Sequence, residues 1–275
     1  MENKYNLATL KSYNMDDLME SEALENARSK DSFSMYEYNG LKVPRVTKII
    51  DESMNREYLV NWAISFGNKY AYYNERDRIL DIGTKSHNMI EEFLRTGIEQ
   101  EAPYKRAPKQ APIIERVYNN FRRWYDNLIS SGNTIEIIGI EVPVVNPYYG
   151  GCIDCIAKIN NAYYILDFKT SKKISYEYIL QTCAYMWTIN NGYCPDLPHI
   201  NGIGIIRCDK ESNTFEDLFL NEFIPEQYNL ICQYMRGFGS ILGTYYEKIN
   251  MEYQFNQYRR TYPGLLNIIN REVIE

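Results

Sequence analysis

No stretch of this chain is apolar for long enough to cross a bilayer. Of its 275 residues only two are histidine and three tryptophan, so a site that uses imidazole has two candidates. No G-x-x-x-x-G-K-[ST] pattern is present, so any ATP-driven work belongs to another chain. Internal repeats and low-complexity tracts are also missing. The N-terminal segment MENKYNLATLKSYNMDDLMESE has no apolar core of the secretory kind and is too acidic for a transit peptide. These absences lead to the expectation of a cytosolic protein with no membrane partner.

Cysteine is present but not clustered. The six are Cys152, Cys155, Cys183, Cys194, Cys208 and Cys232. In a reducing compartment they are expected as free, mostly buried thiols. Cys152-x-x-Cys155 has no second pair, and residues three apart on a strand face opposite sides, which argues against a shared zinc.

A packed core is expected from a hydrophobic fraction of 45%. The mean hydropathy is −0.47. A net charge of −6 argues against nonspecific coating of nucleic acid but is compatible with a local basic track. The 26 tyrosines are mostly core or surface, although exposed ones could stack on bases.

The informative stretch runs from Gly150 to Tyr185. Two apolar, β-rich runs flank the polar corner Asn160-Asn161, which reads as a β-hairpin. Asp154 sits on the first run; Asp167, Phe168 and Lys169 sit on the second. Residues two apart share a strand face, so Asp167 and Lys169 project together and Phe168 points into the opposite layer. Buried charge without a partner costs several kcal/mol, by order of magnitude. A divalent cation held by two aspartates relieves that cost, and oxygen ligands suit Mg²⁺ or Mn²⁺. A surface hairpin with an Asp–Lys ion pair would give the same triplet. After it, Ser175 to Asn190 reads as a helix with Gln181 and Tyr185 on one face.

Elsewhere the pattern is coarser. Residues 1–34 read as an N-terminal arm, and 35–275 as one domain. Asn39-Gly40 between apolar residues signals a hairpin, and Pro44 makes the second run an edge or a loop. Arg56 to Tyr73 reads as a packing helix weakened at Gly67. Asp81 to Leu94 is an amphipathic helix with His87 and Glu91 on one face. Between Glu101 and Trp124 lies a basic insertion: Lys105, Arg106, Lys109, Arg116, Arg122 and Arg123 against Glu115 alone after Pro103. Such a cluster suits a phosphate backbone, with Tyr104, Tyr118 and Trp124 available to stack, or equally a solvated amphipathic helix. Thr134 to Asn146 is an alternating strand; for Glu141 on it a cross-strand ion pair is expected, with a peripheral acid near the metals as the alternative. Asn201 to Cys208 is a buried strand. Pro225 to Ile249 is a helix whose apolar stripe begins at Ile224.

Gly151-x-x-Asp154, Asp167-Phe168-Lys169-Thr170 and Gln181-x-x-x-Tyr185, in that order, resemble the RecB-like exonuclease branch of the PD-(D/E)XK nucleases. Gly83-x-x-x-His87-x-x-x-Glu91 is similar to that family's first motif, and V-P-R-V-T-K-I-I to a P-S-V-T-x-I-L segment of its phage and mitochondrial members. There Arg45 replaces a serine, so the serine's role does not carry over. The resemblance covers about Val43 to Cys208. It implies an α/β fold with a restriction-endonuclease-like core, a small mixed sheet flanked by helices. One or two Mg²⁺ or Mn²⁺ ions are implied, held by His87, Asp154, Asp167 and the carbonyl of Phe168. Lys169 is then catalytic, with Gln181 and Tyr185 positioning it or the phosphate backbone. Some members carry an iron–sulfur cluster on one early and three late cysteines; this chain lacks the late group, so no cluster is expected. The implied activity is a metal-dependent DNA exonuclease acting on single strands or duplex ends in replication, recombination or repair. A bacterial or phage-infected cell fits, with room for a helicase or recombinase partner. A nicking or structure-specific endonuclease and an inactive DNA-binding protein remain alternatives.

Overall fold

The structure, a computed structural model, describes residues 35–53 and 57–261. The segment read as an N-terminal arm lies outside the described residues. The chain opens with a hairpin of β1 (Met35–Tyr38) and β2 (Leu41–Pro44). Asn39 and Gly40 both take positive φ, 48° and 83°, as a two-residue turn of that twist requires. Helices α1 (Val46–Ser53), α2 (Glu57–Ser65), α3 (Lys69–Thr96) and α4 (Ala111–Ser130) follow. Next come β3 (Ile135–Val145), β4 (Gly150–Ile159) and β5 (Ala162–Lys169), then α5 (Tyr176–Thr188). The chain continues through β6 (Gly202–Cys208) and β7 (Phe215–Asn221) into α6 (Pro225–Thr261).

The five later strands form one mixed sheet in the order β3-β4-β5-β6-β7. All neighbours pair antiparallel except β5 and β6, which run parallel and set Lys169 beside Arg207. A parallel pair needs a crossover, and α5 supplies it. The sheet is covered on both faces. One face packs against α1, α5 and α6 through Ile153, Ile165, Ile203 and Ile205. The other packs against α3 and α4 through Leu166, Phe168, Ile206 and Cys208. The expected mixed sheet flanked by helices is therefore present. Among the described residues no helix is long and apolar enough to cross a membrane.

Local chemistry sets the helix ends. Asn68 accepts the Ala71 N–H at 2.8 Å to start α3, and Gly97, at φ 70°, ends it by donating to the Phe93 carbonyl at 2.7 Å. Ser175 caps α5 by accepting from Glu177.

Three expectations need correction, and one strand was not expected at all. The packing helix over 56–73 is two helices, because Gly67 adopts φ 68° and breaks it. Its apolar residues do not pack either: Ile64 is 69% and Tyr70 82% exposed, and Trp62, Phe66, Tyr72 and Tyr73 contact one another instead. Strand β7 escaped the sequence reading, since only Leu220 of its residues is fully buried and two acids interrupt its alternation. Finally, the stripe of α6 begins at Ile231; Ile224 lies outside the helix and exposed, and the helix runs on to Thr261.

Candidate active site

The hairpin β4–β5 builds the centre of the site. Ile165 packs on the α5 side of the sheet while Leu166 and Phe168 pack on the α3–α4 side. Asp167 and Lys169 therefore share the face toward α5, as the spacing predicts. Phe168 is gripped edge-on by Phe121 and Trp124. That contact anchors the triplet between two layers.

Strand β4 turns over at Asp154. Ile153 and Ile156 both pack on the α5 side, and Cys155 and Ala157 on the other. In a regular strand Ile153 and Ile156 would face opposite ways. Directly across, bracketed by the pairs Ile140–Cys155 and Val142–Ile153, stands Glu141 with φ 51°. This irregularity frees the Asp154 carboxylate to reach β5, where its Oδ2 accepts the Phe168 N–H at 2.8 Å. The same oxygen lies 3.7 Å from His87 Nδ1, carried by α3.

Asp167 is only 3% exposed. Its Oδ1 accepts from Lys169 Nζ at 2.7 Å, while its Oδ2 is buried with no hydrogen-bond partner among the described residues. Burial pushes this carboxyl up to about 7, against the pull of the Lys169 ammonium; the charge of Asp154 adds to the rise. For Lys169 burial works the other way, but the charges of Asp167 and Asp154 outweigh it and hold the ammonium above its usual value. The lysine keeps 19% of its side chain exposed, while its ammonium is held inward on Asp167. It also lies 4.9 Å above the ring of Tyr178.

A second group of acids adjoins the first. Burial, then the charges of Glu141 and Asp154, push Glu91 of α3 up to about 7. Glu91 and Glu141 stand side by side, and their mutual repulsion is part of what raises Glu91. Cys152 donates its thiol to Glu141 Oε2 at 3.3 Å, and burial with this acidic surround pushes it up to about 12. The ion pair expected for Glu141 is thus replaced by an acid cluster. Buried Cys155 packs on the α3–α4 side, so it does not join Cys152.

Gln181 and Tyr185 bind each other rather than Lys169: Gln181 Nε2 donates to the Tyr185 hydroxyl at 3.2 Å. The Tyr185 ring lies on Gly151, where any Cβ would overlap it. This explains the glycine three residues before Asp154. The residue that touches Lys169 is Tyr178, which sequence reasoning missed. Its position three residues before Gln181, on the same helix face, was the available signal.

The basic stretch divides in two. Lys105, Arg106 and Lys109 are exposed on the loop before α4. Arg116 donates to the Lys210 carbonyl at 2.8 Å, and Arg123 to Asn120. Arg122 pairs with Glu99 and Asp126 and stacks 3.9 Å from the Phe93 ring centroid. Tyr118 and Trp124 are buried core residues and do not offer the stacking surface considered for them. Tyr104 is exposed and bonded to Glu115.

Among the described residues no three His, Cys, Asp or Glu side chains already stand grouped as metal ligands. The donor set nevertheless fits a hard cation: two aspartates on adjoining strands, a histidine beside one of them, and one buried carboxylate oxygen without a partner.

No family model matches the chain, and neither does any curated protein. Among solved structures it is similar to the crystal structure of SSO0001, at 14% identity and a TM-score of 0.32, over 82% of this chain and 84% of that one. A likeness that loose carries no argument about function.

Proposed function

We propose that this chain is a divalent-metal-dependent deoxyribonuclease, an exonuclease on DNA ends or single strands. The reading joins the PD-(D/E)XK resemblance to one observation. Asp154 and Asp167 meet beside Lys169 with a buried Asp167 oxygen left unbonded, and His87 stands at Asp154. An unpaired buried acceptor costs stability, and a substrate-linked cation would relieve the cost.

His87, Asp154, Asp167 and the Phe168 carbonyl would hold Mg²⁺ or Mn²⁺. The metal's contribution when bound is Lewis acidity and a water of lowered pKa. Lys169, held as an ammonium by the neighbouring aspartates, donates to the attacking water or to the scissile phosphate as negative charge builds there. Tyr178 limits where the ammonium can point. Gln181 and Tyr185 brace Gly151 and hence the approach of β4. Lys105, Arg106 and Lys109 are the loop cations free to meet a phosphate backbone. A role in replication, recombination or repair beside a helicase or recombinase belongs to the same proposal.

The test is cleavage of end-labelled DNA, single- and double-stranded, linear and circular, with Mg²⁺, Mn²⁺ or EDTA. Metal-dependent shortening from one end, absent on circles and lost in Lys169→Ala and Asp167→Ala, is expected. Cutting of circles would move the assignment to an endonuclease. DNA binding without cutting under any metal would leave an inactive binder, and turnover unchanged in either variant would sink the mechanism.

A further inference from the structure

Arg45 is a cation at the rim of this site that pairs with no anion among the described residues. It joins β2 to α1. Its main chain bridges to Gly150 at the start of β4, and its carbonyl accepts the Ile49 N–H at 3.1 Å. The side chain is exposed, and among the described residues no carboxylate pairs with it. Its guanidinium lies 5.8 Å from the ring centroid of Tyr36.

Tyr36 ties this cation to the acids. Its ring packs on Gly150, where a Cβ would collide with it. Cys152 and Glu141 stand close enough to act electrostatically on its hydroxyl. Glu141 in turn faces Asp154. Gly150 and Asp154 are four residues apart on one strand, ~13 Å, a gap that a long side chain narrows.

The charge balance asks for such a residue. The acids Glu91, Glu141 and Asp154 gather on this side of the site, so a polyanion approaching there needs a cation to meet it. A guanidinium at this distance from an aromatic ring is within cation–π range and keeps its donor fork free for a phosphate. We infer that Arg45, beside Tyr36, binds a non-scissile phosphate of the nucleic-acid strand next to the linkage that is cut. It thereby sets which linkage reaches Asp154 and Asp167. The inference rests on the nuclease reading and adds to it a residue where this chain departs from the family pattern.

The experiment compares the full-length protein with Arg45→Ala and Arg45→Lys in steady-state cleavage of a labelled single strand across a salt series. A parallel substrate set carries one neutral methylphosphonate linkage, moved along the strand. Arg45→Ala should raise KM on the order of 10-fold or more, leave kcat nearly unchanged, and flatten the slope of log KM against log salt by about 0.7, one phosphate's worth. Arg45→Lys should recover the slope and only part of the affinity. One methylphosphonate position should weaken the wild type as much as the alanine does, and add nothing to the alanine variant. Wild-type KM and slope in Arg45→Ala, a loss confined to kcat, or additive penalties at every position would overturn the inference alone. A wild-type protein that cuts no nucleic acid under any metal would overturn the nuclease reading beneath it. The side chain is exposed, so an unchanged Tm in Arg45→Ala serves as the folding control.

Discussion

The Phe168 main-chain N–H donates to Asp154 Oδ2 at 2.8 Å. A carboxylate needed for chemistry thus also holds β5 against β4, where the two strands have stopped pairing regularly. Asn at position 154 keeps an acceptor for that N–H; Ala removes it and leaves a buried donor unpaired. Both Asp154→Asn and Asp154→Ala should lose cleavage, but only Ala should lose about 1–3 kcal/mol of stability. Urea unfolding of the two variants beside the wild type separates the roles.

Asp167 should destabilise the metal-free protein at neutral pH. Its folded carboxyl sits near 7 and its ordinary value is 3.8. Between those values the unfolded chain has released the proton and the folded chain has kept it, so stability falls as pH rises from about 4 through 7. Asp167→Asn removes this slope. Its Tm in EDTA should exceed the wild type's at pH 8, on the order of 2–4 °C for each kcal/mol, and match it near pH 4. Added Mn²⁺ should raise the wild-type Tm and leave the variant's unchanged. A variant less stable than wild type at pH 8 would refute the argument.

Gly151 and Tyr185 should behave as one unit. A Cβ at 151 overlaps the Tyr185 ring, so Gly151→Ala should cost about 1–3 kcal/mol and displace α5. Tyr185→Ala alone should cost about 3–5 kcal/mol through its cavity. The double variant should be more stable than the sum of these losses predicts, because the methyl enters vacated space. Additive losses in thermal unfolding would deny the contact.

The two halves of the basic stretch should separate under mutation. Reversing Lys105, Arg106 and Lys109 to Glu should weaken DNA binding and flatten its salt dependence, by about 0.7 in slope per lost phosphate contact on single strands. Stability should barely change, since all three are exposed. Arg122→Ala should do the reverse, because Arg122 stacks on Phe93 and pairs with Glu99 and Asp126. Filter binding and thermal melts on the same preparations check both halves.

The strands of the site were legible because two-residue alternation needs only local sequence. Asp167, Phe168 and Lys169 divide between layers as their spacing requires, and Asn160-Asn161 forms the turn, with Asn160 at φ 54°. Glu141 could not be read the same way. Its place opposite Asp154 follows from strand register and from its own positive φ, and neither is written in hydrophobic pattern. Tyr178 was hidden for a related reason. Contact with Lys169 depends on how α5 crosses the sheet after a parallel step, a tertiary fact. Gly67 shows the limit of propensity: read as a mild weakness in a helix, it is the break between two.

The β4–β5 hairpin has a consequence for the order of folding. Asp154 and Asp167 lie on strands joined by a two-residue corner, so they can meet through a short loop, and hairpins close in roughly 1–10 μs. The pairing of Lys169 with Arg207 spans all of α5 and a parallel register, and such non-local contacts come at a higher entropic cost. The two aspartates therefore meet while still hydrated and mutually screened. Their repulsion is felt in full only later, as α3 and α5 dock and drive out the water.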